Sequence, residues 1–330
     1  MALERLDRFQ RRHRAANFPI AVLYKYFDDS GPYLAALIAY YGFVSLFPLL
    51  LVLATVLGLV LAGNPDLQQR VIHSAVAEFP VVGAQLGEPR RLGGGATGLV
   101  VGILVSLYGG LGVAQAAQYA MNTAWRVPRN DRPNPFKARG RSLVLLATVG
   151  VAILGTMVLS AVGTPGSGSS QVVVKVLTLA AGVLLNAALF VFAFRFATTR
   201  PLSVGDVLPG ALGAAVGWQL LQSFGVVFVS HVVRNASATN SVFAVVLGLL
   251  AFLYLAAAMV VLCVEVNVVR ADGLHPRALL TPFTDDVTLT PADRRAYTEQ
   301  AQAERTKGFE EVDVTFRPHG SQHDGERRDP

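Results

Sequence analysis

ALIAYYGFVSLFPLLLVLATVLG, residues 36–58, runs for more than twenty positions without a charged side chain. A helix rises about 1.5 Å per residue, so such a stretch reaches across a hydrocarbon core about 30 Å thick. Lipid offers no partner to an unpaired backbone N–H or C=O, and a helix satisfies both within itself. The stretch therefore reads as a transmembrane helix.

Five further runs meet the same test, and with the first they span residues 33–62, 98–119, 142–162, 172–194, 207–229 and 242–269. Each is bounded by Gly, Pro, Asn or charged residues. The expected fold is an all-α polytopic membrane protein with six transmembrane helices. A mean hydropathy of +0.46 agrees with it, as do 52% hydrophobic and only 15% charged residues.

Charge sets the expected orientation. Residues 1–270 carry 20 Lys and Arg against 10 Asp and Glu, whereas 271–330 carry 8 against 12. Arg5, Arg8, Arg11, Arg12, Arg14 and Lys25 precede the first span, and Arg126, Arg129, Arg132, Lys137, Arg139 and Arg141 follow the second. Cations resist translocation, so both segments are expected in the cytoplasm. The connections 163–171 and 230–241 carry none and one (Arg234) and are expected outside, which leaves both termini inside. This accounts for a sequence pI near 9.7 without nucleic acid as a partner, since no clustered basic face is visible.

Between the spans, residues 63–97 carry an amphipathic stretch expected on the outer membrane surface. Residues 1–32 form a basic segment and an interfacial elbow helix, with Lys25 among Tyr24, Tyr26 and Phe27. No removable signal peptide is expected, because the first thirty residues lack an apolar core. From Thr281 the chain is polar with few aliphatic residues, and 271–330 is expected to be a largely disordered cytoplasmic tail. The single cysteine, Cys263, excludes an intramolecular disulfide.

Tyr40-Tyr41 followed by Ser45-Leu46-Phe47-Pro48 resembles the opening signature of the BrkB/YihY family. NTAWRV at 122–127, LPGALGAAVGW at 208–218 and FLYLAAAMVVLCVEVNVVRA at 252–271 extend the likeness, which covers about 30–270. Asn240-Ser241 stands where the family has Tyr-Gly, and Phe252-Leu253-Tyr254 where it has Trp-x-Tyr. The resemblance implies a bacterial inner-membrane protein linked to envelope integrity, with a role in moving lipids or other envelope components. It does not imply the ribonuclease named by an old label for this family.

Several residues are candidates for function. Pro48 interrupts the ladder of its helix, and the resulting kink or break presents backbone dipoles to a substrate or simply shapes the helix. Tyr40, Tyr41 and Ser45 lie within two turns of it, and Ser45 either repairs the freed backbone or serves a site. In the fifth span Pro209-Gly210 opens the helix. Gly210, Gly213, Gly217 and Gly225 then mark a close-packing face toward another helix, within the subunit or across a homo-oligomer. Gln219, Gln222 and Asn186 are amides at membrane depth, serving as interhelical glue or as substrate contacts.

Glu265 is the one carboxylate in the six spans, and such a group costs about 2.5–3.5 kcal/mol at a helix centre on insertion scales. Near the cytoplasmic end it is expected to pair with Arg195 or Arg126. With Asn267 it matches the family's Glu-x-Asn. No nucleophile elbow, zinc-protease signature or phosphate-binding loop is visible, so no enzyme activity, cofactor or metal is expected. Membrane lipids are the expected partners. A non-transporting scaffold for envelope machinery is the alternative.

Overall fold

The computed structural model describes residues 7, 9–60, 95–162, 171–235, 238–285 and 287–317. The expected outer amphipathic stretch at 63–97 lies almost wholly outside them. Among the described residues the chain is all helical: α1 (Arg14–Asp28), α2 (Gly31–Val60), α3 (Gly95–Ala124), α4 (Pro135–Val162), α5 (Gln171–Ala197), α6 (Val204–Asn235), α7 (Ala238–Ala271) and α8 (Pro291–Ala303), with a 3₁₀ turn at Arg129–Asp131. The expected spans 98–119, 142–162, 172–194, 207–229 and 242–269 fall within α3 to α7, and 33–60 of the first falls within α2, its last two residues lying outside the described ones. Three helices contain a described stretch long and apolar enough to cross a membrane: Ala180–Ala197, Val204–Ser223 and Val246–Ala271; Gly31–Leu46 is a shorter apolar one.

Local chemistry sets the boundaries. α4 starts with Pro135 after Asn134, whose Oδ1 accepts from the Lys137 N–H at 2.9 Å. α6 begins with a reciprocal cap, in which Ser203 Oγ accepts from Asp206 N at 3.2 Å and Asp206 Oδ2 from Ser203 N at 2.8 Å. Pro209 therefore stands in the second turn of α6, one turn later than the sequence suggests. Of the expected kink or break at Pro48, a break is absent, because α2 continues as one helix through it to Val60; the Pro48 side chain lies outside the described residues.

Packing makes the layout. α2 lies against α3 and α7, α6 against α5 and α7, and α4 between α3 and α5. Large apolar side chains such as Leu104, Tyr108, Val151, Leu184, Leu220 and Leu255 are exposed on the outside of this bundle. Helices apolar on both inner and outer faces suit lipid surroundings. The densest core gathers at one end, around Trp125, Phe194, Leu202, Val207, Val264, Val268 and Leu274.

Two segments at that end depart from expectation. α1 is not merely interfacial, because Ala21, Val22, Lys25 and Tyr26 are buried against the bundle. The polar tail, expected to be largely disordered from Thr281, carries α8 and hydrogen-bonded turns among its described residues. The composition argument counts aliphatic area, whereas this segment is held by polar groups. Thr290 and Asp293 form a capping box, and Arg277 Nε meets Asp293 Oδ1 at 2.5 Å with both side chains buried. Arg277 also reaches Asp28 at 3.1 Å, tying the tail to α1.

Candidate functional site

At the same end lies a buried ionic cluster. Lys25, on α1, is wholly enclosed; its Nζ donates to Asp29 and to the Ala124 carbonyl at 2.7 Å, and lies 3.2 Å from Glu265 Oε2 on α7. Glu265 is equally enclosed. Arg126 approaches Asp29 at 3.8 Å and Glu299 of α8 at 3.4 Å, and its NH1 donates to the Ala296 carbonyl. Charges removed from water are tolerated only when paired this closely, and deleting one strands the rest. The cluster therefore joins α1, the end of α3, α7 and α8.

Arg126 occupies an unusual backbone position. Its φ is 50°, with Val127 N donating to Asn122 O and Arg126 N to Thr123 O, both at 2.9 Å. This is the two-bond cap that ends a helix with a left-handed residue, normally glycine. Gly273 fills the corresponding position after α7, at φ 63°. An arginine in that conformation is strained, and the carboxylates its side chain reaches offset the strain. Asn122, one turn earlier, donates to Gln118 O at 2.8 Å, and its Oδ1 accepts from Thr199 N at 2.8 Å, fixing the α5–α6 connection.

Where α6 meets α7, a proline and an amide work together. Pro209 has no N–H for the carbonyl of Gly205 four residues back, and Arg270 donates to that carbonyl at 3.0 Å. Asn267 Oδ1 accepts from the Gly210 N–H at 2.6 Å, with Asn267 fully buried. A Cβ on Gly210 would run into the Cys263 carbonyl and the Asn267 side chain, and one on Gly217 into Met259. The glycine face of α6 is thus filled by α7 of the same chain at Gly210, Gly213 and Gly217.

Between α2 and α3 the helices also touch closely. A Cβ on Gly109 would lie 2.6 Å from Ser45 Cβ, and one on Gly112 would overlap the Tyr41 ring. Ser45 Oγ donates to Gly42 O at 2.9 Å and so does not bond the Val44 carbonyl that Pro48 leaves unserved. Toward the ionic end the pair opens into a cleft of about 330 Å³, lined by Leu37 and Tyr41 of α2, Gln118, Tyr119 and Asn122 of α3, and Arg132 of the following loop. Arg132 lies 5.3 Å over the Tyr119 ring and donates to Val127 O at 3.1 Å.

Glu265, Asn267, Pro209 and Gly210 come together at the end of α7, and Tyr41 and Ser45 line the α2–α3 contact. Glu265 pairs with Lys25, not with Arg195, which instead donates to the Leu202 carbonyl at 2.8 Å. Tyr40 stacks edge-on against Tyr41 and is largely exposed, while Asn186, Gln219 and Gln222 are half-buried away from the cluster. Lys25, Asp29, Arg126 and Asn122 were not singled out as site residues from sequence. The usable signal was the Lys25–Asp29 spacing of four on an otherwise apolar helix face.

The family described as Virulence factor BrkB matches residues 22–282. An uncharacterised protein of Dickeya dadantii (strain 3937) is 26% identical over 261 residues, 72% of this chain and 77% of that protein. The inner membrane protein YhjD of Escherichia coli (strain K12) is 24% identical over 261 residues, 72% of this chain and 75% of that protein. No solved structure matches.

Proposed function

This chain belongs to the Virulence factor BrkB family, and from that premise we propose that it is an inner-membrane protein that moves a lipid or other amphipathic envelope component and so contributes to envelope integrity. The name of the E. coli relative supports the location. The cytoplasmic placing of both termini and the count of six spans belong to the same proposal, supported by the alternation of basic connections. The activity is non-enzymatic.

The observation that carries this reading is the cleft between α2 and α3. It combines apolar and aromatic walls with amides and one guanidinium, beside the exposed apolar side chains of Leu37, Tyr40 and Tyr119. An amphipath has the matching two-part chemistry. In proteoliposomes, the protein should speed movement of headgroup-labelled lipid between leaflets relative to empty vesicles. Leu37→Trp, which narrows the cleft, should slow it, as should Glu265→Gln and Pro48→Ala at matched reconstitution. Rates equal to those of empty vesicles across several headgroups would remove the transport reading.

A second reading, a non-transporting scaffold, draws support from the tail clasped to α1 through Arg277, Asp28 and Asp293, which offers a fixed polar platform. In-cell crosslinking from exposed Phe309 should then recover one stable partner protein, and repeated recovery of none would discard it.

A further inference from the structure

Within the cleft between α2 and α3, the ten lining residues include one cation, Arg132, and no carboxylate. A guanidinium has five N–H donors. Arg132 gives one to Val127 O at 3.1 Å and one, weakly, to Thr123 Oγ1 at 3.5 Å. The carboxylates of the surrounding loops are engaged elsewhere: Glu304 pairs with Arg129 at 2.6 Å and Asp131 with Arg305 at 3.5 Å. Among the described residues no salt bridge to Arg132 forms; apart from those two oxygens its half-buried charge meets the Tyr119 side chain and, at longer range, Glu304, which leaves donors free for an anion in the cleft.

A second lining residue has the opposite need. Gln118 is 4% exposed; its Nε2 donates to Ser142 Oγ at 2.7 Å and to Ala138 O at 3.3 Å, but its Oε1 has no hydrogen-bond partner. The neighbouring amide cannot stand in for it, because Asn122 Oδ1 is taken by the Thr199 N–H. Buried acceptors are almost always satisfied, so an orphaned one beside a cavity marks a missing donor. The cleft thus asks for an anion at Arg132 and a donor at Gln118, with Leu37 and Tyr41 supplying apolar wall.

We propose that this cleft is a headgroup site for a glycerophospholipid that carries an N–H or O–H donor beyond its phosphate, with the phosphate on Arg132 and the donor on Gln118. The assignment rests on the reading that the protein acts on a membrane amphipath. A phosphodiester only accepts hydrogen bonds and suits a guanidinium. A primary ammonium or a hydroxyl supplies what Gln118 lacks, whereas a trimethylammonium has no donor and a diacylglycerol has no phosphate.

Native mass spectrometry of the full-length protein, loaded with chain-matched lipids, tests this. Phosphatidylethanolamine and phosphatidylglycerol should be retained at least about tenfold better than phosphatidylcholine, and diacylglycerol least. The first two arms separate ammonium from hydroxyl. Arg132→Gln should drop both to the diacylglycerol level, while Arg139→Gln, an exposed cation outside the cleft, should not. Gln118→Leu should erase the preference over phosphatidylcholine. Equal retention of the three phospholipids overturns the donor assignment, and insensitivity to Arg132→Gln overturns the phosphate assignment. Should Gln118→Leu fail to fold, the wild-type series and Arg132→Gln still decide. Headgroup selection without interleaflet movement keeps this site and discards transport; movement without selection does the reverse.

Discussion

Lys25 and Glu265 face each other at 3.2 Å with neither side chain reaching solvent, and Asp29 and Arg126 complete the set. Lys25→Met strands two carboxylates beside a single cation, and a loss of about 3–5 kcal/mol is expected. Glu265→Gln should partly rescue it, so the double variant should unfold later than the two single losses added together. Thermal unfolding in detergent measures this cycle, and strict additivity would deny the coupling. At Arg126, glycine would relieve about 1 kcal/mol of left-handed strain yet leave Glu299 unpaired. Arg126→Gly should therefore destabilise less than Arg126→Ala by about that amount. Glu265, Asn267 and Gly210 were legible in the sequence because a carboxylate, an amide or a proline-glycine step stands out in an apolar run. Lys25 and Arg126 were not, because cations flanking membrane helices already have an explanation in orientation, and only the tertiary fold shows them turned inward.

Between elements, glycines decide which helices can meet. Gly210→Ala would drive a methyl into the Cys263 carbonyl of α7, backbone that cannot swing aside, and a cost of about 1–3 kcal/mol is expected. Gly182→Ala on α5 meets nothing within 4 Å and should lie within about 0.5 kcal/mol of wild type. The helices themselves were read correctly from apolar length, but their ends were not. Caps and ion pairs carry α3, α5 and α7 beyond the apolar runs, where hydropathy falls silent. α8 was missed for the same reason, and its attachment is separately testable. Thr290→Ala should loosen it by about 1 kcal/mol, seen as faster proteolysis at Arg294 or Arg295. Asp7 adds a pH dependence. Burial pushes its carboxyl up, but hydrogen bonds from the Leu279 N–H and Arg11 outweigh this and hold it below the ordinary value. A lowered carboxyl stabilises the docked tail above its unfolded value, and that contribution is lost as pH falls through the lower folded one. Tail protection should weaken more steeply on acidification below about pH 4 in wild type than in Asp7→Asn, whose remaining carboxylate contacts are shared by both.

For the molecule as a whole, the proposed cytoplasmic placing of the basic connections can be tested by labelling. In a Cys263→Ala background, Arg139→Cys should resist an impermeant thiol reagent in intact spheroplasts, and Ser167→Cys should react. Labelling of the first without lysis would invert the arrangement. The ionic cluster also bears on how the chain is made. Lys25 emerges from the ribosome well before two of its partners, since the Ala124 carbonyl follows about a hundred positions later and Glu265 some 240 positions later. Until α7 is delivered, that ammonium has Asp29 four residues on as its carboxylate partner, and the rest of its shell has to come from water or the bilayer surface. The cluster therefore cannot be completed helix by helix, and it locks shut only when α7 folds back against α1.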